Sequence, residues 1–112
     1  MIVKNSRDVP VHDVRIEGAQ GVRKAVLLGE SDGAVNFIMR EFRVAPGGYT
    51  PFHRHNFEHE VYVIRGQGVL RTDDGDRVIR TGTVCLVIPD RNHQFLTTGT
   101  EELVFLCIIP KP

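Results

Sequence analysis

Eight short runs of β-branched, aliphatic and aromatic residues, separated by turn-forming segments, constrain the fold of this chain more than any other feature. The runs are Lys24–Leu28, Asn36–Val44, Glu60–Arg65, Gly68–Thr72, Arg77–Arg80, Thr83–Ile88, His93–Thr97 and Leu103–Ile109. Turn residues fill the intervals, including Ala-Pro-Gly-Gly at 45–48, and Asp74-Gly75 is a strong hairpin signal. Because no apolar pattern with helical spacing is sustained, the sequence predicts an all-β protein, an antiparallel sandwich or small barrel.

The length of 112 residues suits one domain, and we place its core at about residues 24–109. Residues 1–20 have a weaker pattern, so we expect an edge strand or an arm that contributes to a dimer contact. The run Leu103–Ile109 is apolar on both faces, whereas a small antiparallel sheet buries only one face within the monomer. The surplus apolar face predicts a homodimer.

Charge and composition exclude several classes of partner. Fourteen basic residues balance fourteen acidic ones without a block of like charge, so we expect no nucleic-acid partner. The longest apolar runs are too short to cross a bilayer, and charged residues interrupt residues 1–8 where a signal peptide needs an apolar stretch. Cys85 and Cys107 lie within apolar runs and are expected to be reduced core thiols. These features predict a cytoplasmic protein.

Four of the five histidines are arranged as candidate metal ligands, namely His53, His55, His59 and the more distant His93. Side chains alternate along a strand, so His53 and His55 point to the same side, about 7 Å apart. Imidazole is the commonest protein ligand for borderline metals. The fifth histidine, His12, stands alone in the N-terminal region and is expected on the surface.

The glycines and histidines of this region resemble the two sequence motifs of small cupins of the conserved-barrel type. The matching residues are Gly47, His53, His55 and Gly66 in the first motif, and Gly82, Pro89 and His93 in the second. The resemblance covers about residues 36–109 and implies an antiparallel double-stranded β-helix, or jelly-roll barrel, with its ligands at an open cavity. Arg91 stands where the family usually has Gly, and Thr97 where it often has Asn.

The third ligand in this family is usually Glu, and two residues compete for its position here. Counting back from Gly66 through six intervening residues gives His59, whereas a looser spacing after His55 gives Glu60. Adjacent strand residues face opposite sides, so only one of the two can point inward. We prefer His59, which places Val61 inside and gives the four-histidine site of one cupin subfamily.

Four neutral imidazoles leave a bound divalent ion with its full charge, which makes it a stronger Lewis acid. Such a ligand set accepts Mn, Fe, Ni, Cu or Zn, and we expect Mn or Fe. A tetrahedral arrangement is closed and structural, whereas an octahedral one leaves two positions open. The family resemblance favours the open arrangement.

Residues that share a strand face with a ligand are expected to line the cavity. Phe95 follows His93 by two residues, and the resemblance favours Phe105 and Cys107 as the inward pair of the last strand. Arg40 either points inward, where its guanidinium binds an anionic substrate, or lies on the surface beside a glutamate. The sequence leaves both orientations of Arg40 open.

Three functions from different classes fit these features. The leading hypothesis is a metal-dependent oxidoreductase of dioxygenase type that acts on a small molecule, because the ligand set is redox-capable and lacks a carboxylate general base. The alternatives are a non-redox isomerase or lyase that uses the ion as an electrophile, and a binding or sensor module without catalysis. A fold shared by many activities does not select among them.

Overall fold

Nine β-strands make up most of the protein, as seen in a computed structural model that describes residues 1–112. They are β1 (His12–Asp13), β2 (Gln20–Leu28), β3 (Phe37–Tyr49), β4 (His59–Arg65), β5 (Gln67–Thr72), β6 (Gly75–Arg80), β7 (Val84–Val87), β8 (His93–Thr97) and β9 (Leu103–Pro110). Two 3₁₀ turns lie at Ser6–Asp8 and Glu30–Asp32. Neither has the length or the apolar character of a helix that crosses a membrane.

The strands form one curled antiparallel sheet in the order β6-β5-β8-β3-β9-β4-β7, and β2 pairs with β3 and carries β1 on its other side. The order places strands that are distant in sequence side by side, as in a jelly roll. The predicted all-β antiparallel barrel is therefore confirmed. Strands β6 and β7 stand at the two ends of this path and leave an edge each.

Residues 45–48 do not form the turn that their Ala-Pro-Gly-Gly sequence predicts, because β3 continues through them to Tyr49. The pairing of β2 with β3 passes from Val22↔Val44 to Gln20↔Tyr49, so the extra residues of β3 bulge out of the ladder. Gly47 has a φ of +77°, a conformation that glycine adopts without strain. A glycine-rich bulge bends the strand here instead of ending it.

The β5–β6 hairpin was predicted from Asp74-Gly75 and is confirmed. Thr72 pairs with Gly75, so the two-residue loop consists of Asp73 and Asp74, one position earlier than the sequence signal suggests. The hydroxyl of Thr72 donates a hydrogen bond to the carbonyl oxygen of Gly75 at 3.0 Å. This bond closes the hairpin tightly.

The hydrophobic core lies inside the curled sheet. It consists of Val22, Val44, Val61, Val63, Ile79, Val87, Phe95, Leu103, Phe105 and Cys107. Strand β4 shows how the sequence specifies it, because His59, Val61 and Val63 are buried while the alternate residues are exposed. This alternation fixes which side chains of β4 face the interior.

Gly66, which anchors the count back to His59, is required by the fold. Its φ is +91°, and a Cβ at this position would lie 2.5 Å from the carbonyl oxygen of Glu102. No larger side chain fits without moving the backbone that precedes β9. The position of Gly66 therefore sets where β4 ends.

The N-terminal region lies against its own chain. Strand β1 pairs with β2 through His12↔Lys24, and Val14 and Ala19 pack against the core. On the outer face of β9, Val104 is buried, whereas Leu106 and Ile108 are only partly covered. The surplus apolar face predicted for β9 is thus smaller than its sequence suggests.

Candidate metal centre

The segment between β3 and β4 brings His53 beside the start of β8. The amide of His53 donates to the carbonyl oxygen of His93 at 3.1 Å, and the amide of His93 donates back to His53 at 2.9 Å. The amide of Asp90 also donates to the carbonyl oxygen of His55. These backbone bonds place two histidines from one segment and one from a distant strand at the same end of the barrel.

Three histidines form a close cluster of metal-ligand atoms. One ring nitrogen from each of His53, His55 and His93 lies within 4.8 Å of the others. The ring centroids are 4.3 Å apart for His53 and His55, and 4.9 Å apart for His53 and His93. The sequence predicts a cluster of four donors, whereas the structure brings only these three close together.

His59 lies next to this cluster but outside the group of close donors. Its ring centroid is 4.8 Å from that of His55 and 5.3 Å from that of His93. The side chain is buried, whereas the neighbouring Glu60 is exposed. His59 thus occupies the inward position that we preferred for the third ligand.

The nitrogens of His59 have different surroundings. Nδ1 lies 3.3 Å from the sulfur of Cys107, while Nε2 is buried and has no hydrogen-bond partner. A buried polar atom without a partner is costly in a folded protein. A bound metal ion at Nε2 would remove this cost, so the residues present fit a metal.

The other nitrogen of His93 is also engaged. Its Nδ1 lies 3.0 Å from the carbonyl oxygen of Arg91, which can only accept a hydrogen bond. The proton therefore sits on Nδ1, which leaves the lone pair of Nε2 free to bind a metal. Metal-binding histidines commonly donate their second N–H to such a partner.

Arg40 lies on the inward side of β3. Its Nη2 donates to the sulfur of Cys107 at 3.0 Å, and its guanidinium carbon lies 4.9 Å from the ring centre of Phe42. Its Nε is buried without a partner, and no carboxylate forms an ion pair with it. Arg40 is therefore a partly buried cation that lacks an anion.

Aromatic side chains surround the histidines. Phe95 is buried with its ring centre 4.6 Å from that of Phe105, and 6.5 Å from that of His93. Phe57, which the sequence analysis did not select, stacks on both His55 and His59. Its spacing of two residues from each histidine was the signal that could have identified it.

Burial keeps the histidines of the metal-free protein uncharged. It lowers the pKa of His53 to about 4 and that of His59 to about 3, and neighbouring histidines add to both shifts. The positive charge of Arg40 also lowers the pKa of His59 and of His55. Neutral imidazoles are the form that binds a metal.

We expect the metal-free protein to lose stability as the pH falls from about 6.5 towards 4. The unfolded chain takes up protons at its histidines near pH 6.5, whereas folded His53 and His59 resist protonation until about pH 4 and pH 3. Because solvent screens the partly exposed His53, most of the effect comes from buried His59, and we expect about 2 kcal/mol in total at about pH 5, or roughly 8 °C in melting temperature. Thermal unfolding in a chelator at about pH 7.5 and about pH 5 measures this difference.

Two asparagine variants identify the residues responsible for this dependence. His59→Asn should reduce the difference between the two melting temperatures, whereas His12→Asn should preserve it, because His12 is exposed. Equal melting temperatures at both pH values for the unmodified protein would contradict the argument.

Comparison with known proteins agrees with the fold. Residues 40–109 match the family model described as "Cupin domain". A polyketide cyclase from Streptomyces resistomycificus superposes on the whole chain and on 80% of its own length, with a TM-score of 0.94 and 32% identity.

Two curated proteins are also similar in sequence. An oxalate-binding protein of Thermotoga maritima is 31% identical over 97% of this chain and 93% of its own length. Auxin-binding protein 1 of Arabidopsis thaliana is 29% identical over 99% of this chain but only 60% of its own length. The match to the family model spans more than half of the chain and contains the three clustered histidines and His59, so the chain belongs to the cupin domain family.

Proposed function

We propose that His53, His55, His59 and His93 bind one divalent transition metal ion, and that the site acts on a small oxygen-bearing anion. The observation that carries this proposal is the buried, unpartnered Nε2 of His59 beside three clustered ring nitrogens. We propose Mn or Fe as the native ion, while Cu, Ni and Zn also suit nitrogen ligands. When bound, the ion supplies Lewis acidity that four neutral ligands leave undiminished.

The residues around the histidines define what the site can bind. Arg40 offers a cation without a carboxylate partner, which favours an anionic ligand because charge-assisted hydrogen bonds are strong in a partly buried site. Phe57, Phe95 and Phe105 limit the access of water. Cys107 accepts from Arg40 and lies against Nδ1 of His59, so it holds both side chains in place.

Two reaction classes use such a site. The first is non-redox chemistry in which the ion polarises an oxygen-bearing group; similarity to an oxalate-binding protein and to a polyketide cyclase supports it. The second is the dioxygenase-type oxidation predicted from the sequence. It is favoured by a donor cluster made only of imidazole nitrogens, which provides no carboxylate general base. Oxygen uptake on addition of a ligand distinguishes the second class from the first.

The proposal is tested by calorimetric titration of oxalate into Mn(II)-loaded and chelator-treated protein. We expect binding with one oxalate per chain only in the loaded form, because the anion needs both the ion and Arg40. Acetate provides a control, since its single carboxylate can form only a strained four-membered chelate and should bind much more weakly than oxalate, which forms a five-membered one. Equal binding to both forms, or none to the loaded form, would exclude this function.

We also propose that the protein is a homodimer joined through the outer face of β9, β4 and β7. The ladder places Tyr62 between Leu106 and Val84, and Glu60 between Ile108 and Leu86, so the outer face is apolar apart from one carboxylate. Val84 and Leu86 are 70% and 58% exposed. Monomeric proteins rarely leave such a surface uncovered.

Light scattering should give about twice the chain mass of 12.6 kDa. Leu86→Lys should shift the protein to the monomer, because it places a charge at an exposed apolar position of this face. Val78→Lys adds the same charge on β6, outside the face, and should leave the mass unchanged. A monomeric unmodified protein at micromolar concentration would contradict the dimer.

A further inference from the structure

The curled sheet has a lateral opening where its two ends approach each other. Strands β6 and β7 end the strand order and do not pair with one another. A cavity of about 490 Å³ lies between them and extends to His93. This opening, which we call the β6–β7 cleft, therefore leads from the outside of the barrel to His93.

Apolar side chains from both walls line half of the cleft, and polar side chains, including Arg77 beside Leu70, line most of the other half. On the β5–β6 side, Leu70 of β5 pairs with the buried Phe95 of β8. Ile79 of β6, two strands away from β8, also faces the interior. On the β7 side, Val87 is the partner of His59, and Cys85 is the partner of the buried Val61. These register positions place Leu70, Ile79, Cys85 and Val87 on the same side of the sheet as the histidines, and all four line the cavity.

The cleft has a suitable size and reach for a ligand anchored at the histidines. Its volume falls within the range of about 300–1,000 Å³ that is typical of small-molecule sites. Cys85 is the diagonal cross-strand neighbour of His59, which corresponds to about 7–8 Å. This distance is about the length of two fused aromatic rings.

One end of the cleft is held in a fixed position. The side chain of Asp73 accepts hydrogen bonds from the amide of Asn92 at 3.1 Å and from its side chain at 3.0 Å. Arg91 forms an ion pair with Asp74. The β5–β6 turn is thereby tied to the segment that carries His93, so the cleft is formed before a ligand arrives.

We propose that the β6–β7 cleft binds the flat apolar body of the substrate, about two fused rings in size, while the oxygen-bearing head of the substrate lies at the histidines and Arg40. This inference rests on the proposed function and assigns a substrate class to the same site. A ligand as small as oxalate occupies only the position at the histidines and Arg40. A hydroxylated aromatic acid occupies that position and the β6–β7 cleft.

The free thiol of Cys85 provides a direct test in the unmodified protein. The probes are oxalate and 3-hydroxy-2-naphthoate, each added to Mn(II)-loaded protein before alkylation with N-ethylmaleimide. At about ten times its Kd, the naphthoate should slow alkylation of Cys85 about tenfold, whereas oxalate should not. Cys107 is only 2% exposed and serves as the unreactive internal reference.

A pair of substitutions gives a second, independent measurement. Cys85→Phe fills the cleft and should weaken naphthoate binding at least about tenfold while leaving oxalate binding unchanged. Val69→Phe adds similar bulk on β5, on the opposite face to Leu70, and should change neither. Unchanged circular dichroism of both variants confirms that they fold.

The outcomes separate this inference from the proposed function. If naphthoate and oxalate both bind but neither the alkylation rate nor the Cys85→Phe variant responds, the cleft is not the binding site. If neither probe binds the loaded protein, the proposed function fails and the inference falls with it.

Discussion

Replacing His59 with alanine is expected to lower the affinity of the protein for Mn(II) or Fe(II) by more than about 100-fold. Loss of a residue that only supports a metal ligand typically costs 10–100-fold, and loss of a ligand costs more. His59 is 7% exposed, and its Nε2 has no partner in the protein. Metal content after dialysis, measured by mass spectrometry, and competition with a chelator give the affinity.

The matched control is Glu60→Ala. Glu60 is next in sequence and carries a carboxylate that could bind a metal, yet it is exposed on the opposite face of β4. This variant should retain the metal with nearly unchanged affinity. Retention of metal by His59→Ala together with loss by Glu60→Ala would show that Glu60, not His59, is the ligand.

The second large effect is expected for Arg40→Met, which should weaken oxalate binding to the metal-loaded protein about 30-fold. A hydrogen bond to a charged group contributes about 2 kcal/mol, which corresponds to this change in Kd. Methionine keeps most of the apolar stem of the side chain that packs near Phe42. Because Arg40 has no acidic partner, we expect the metal content to remain unchanged.

Calorimetric titration of oxalate into the metal-loaded Arg40→Met protein and into the control variant Arg65→Met measures this change in Kd. Arg65 is a surface residue of β4, and its partner Glu102 retains a second ion pair with Arg23, so its loss should not affect oxalate. A purely structural role for Arg40 would instead lower the melting temperature and leave the Kd unchanged. That result would contradict the part of the proposed function in which Arg40 binds an anionic ligand.

The sequence was most informative where a residue's role follows from alternation along its own strand. In β4 the period of two predicted that His59 and Val61 face inward, because a shift of one residue would expose the core face. The turn predicted at residues 45–48 was wrong, because the conformation of this segment depends on a contact outside its own strand. Whether Pro-Gly-Gly ends a strand or bulges from it depends on the partner strand β2, which local sequence does not reveal.

The three clustered histidines were predictable from the sequence, whereas the contacts around them were not. The spacing of His53 and His55 was sufficient to place them together, and Gly66 identified His59. The contact of Arg40 with Cys107 joins residues 67 positions apart. It depends on the pairing of β3 with β9, so the sequence left the orientation of Arg40 open and gave no sign of its missing counter-ion.

A crystal structure of the Mn(II)-loaded protein with oxalate tests the central claim most directly. We expect four imidazole nitrogens around the ion, with Nε2 of His59 among them, two oxalate oxygens in adjacent positions, and Arg40 hydrogen-bonded to the oxalate. An ion held by His53, His55 and His93 alone, or a tetrahedral site that excludes oxalate, would contradict the account.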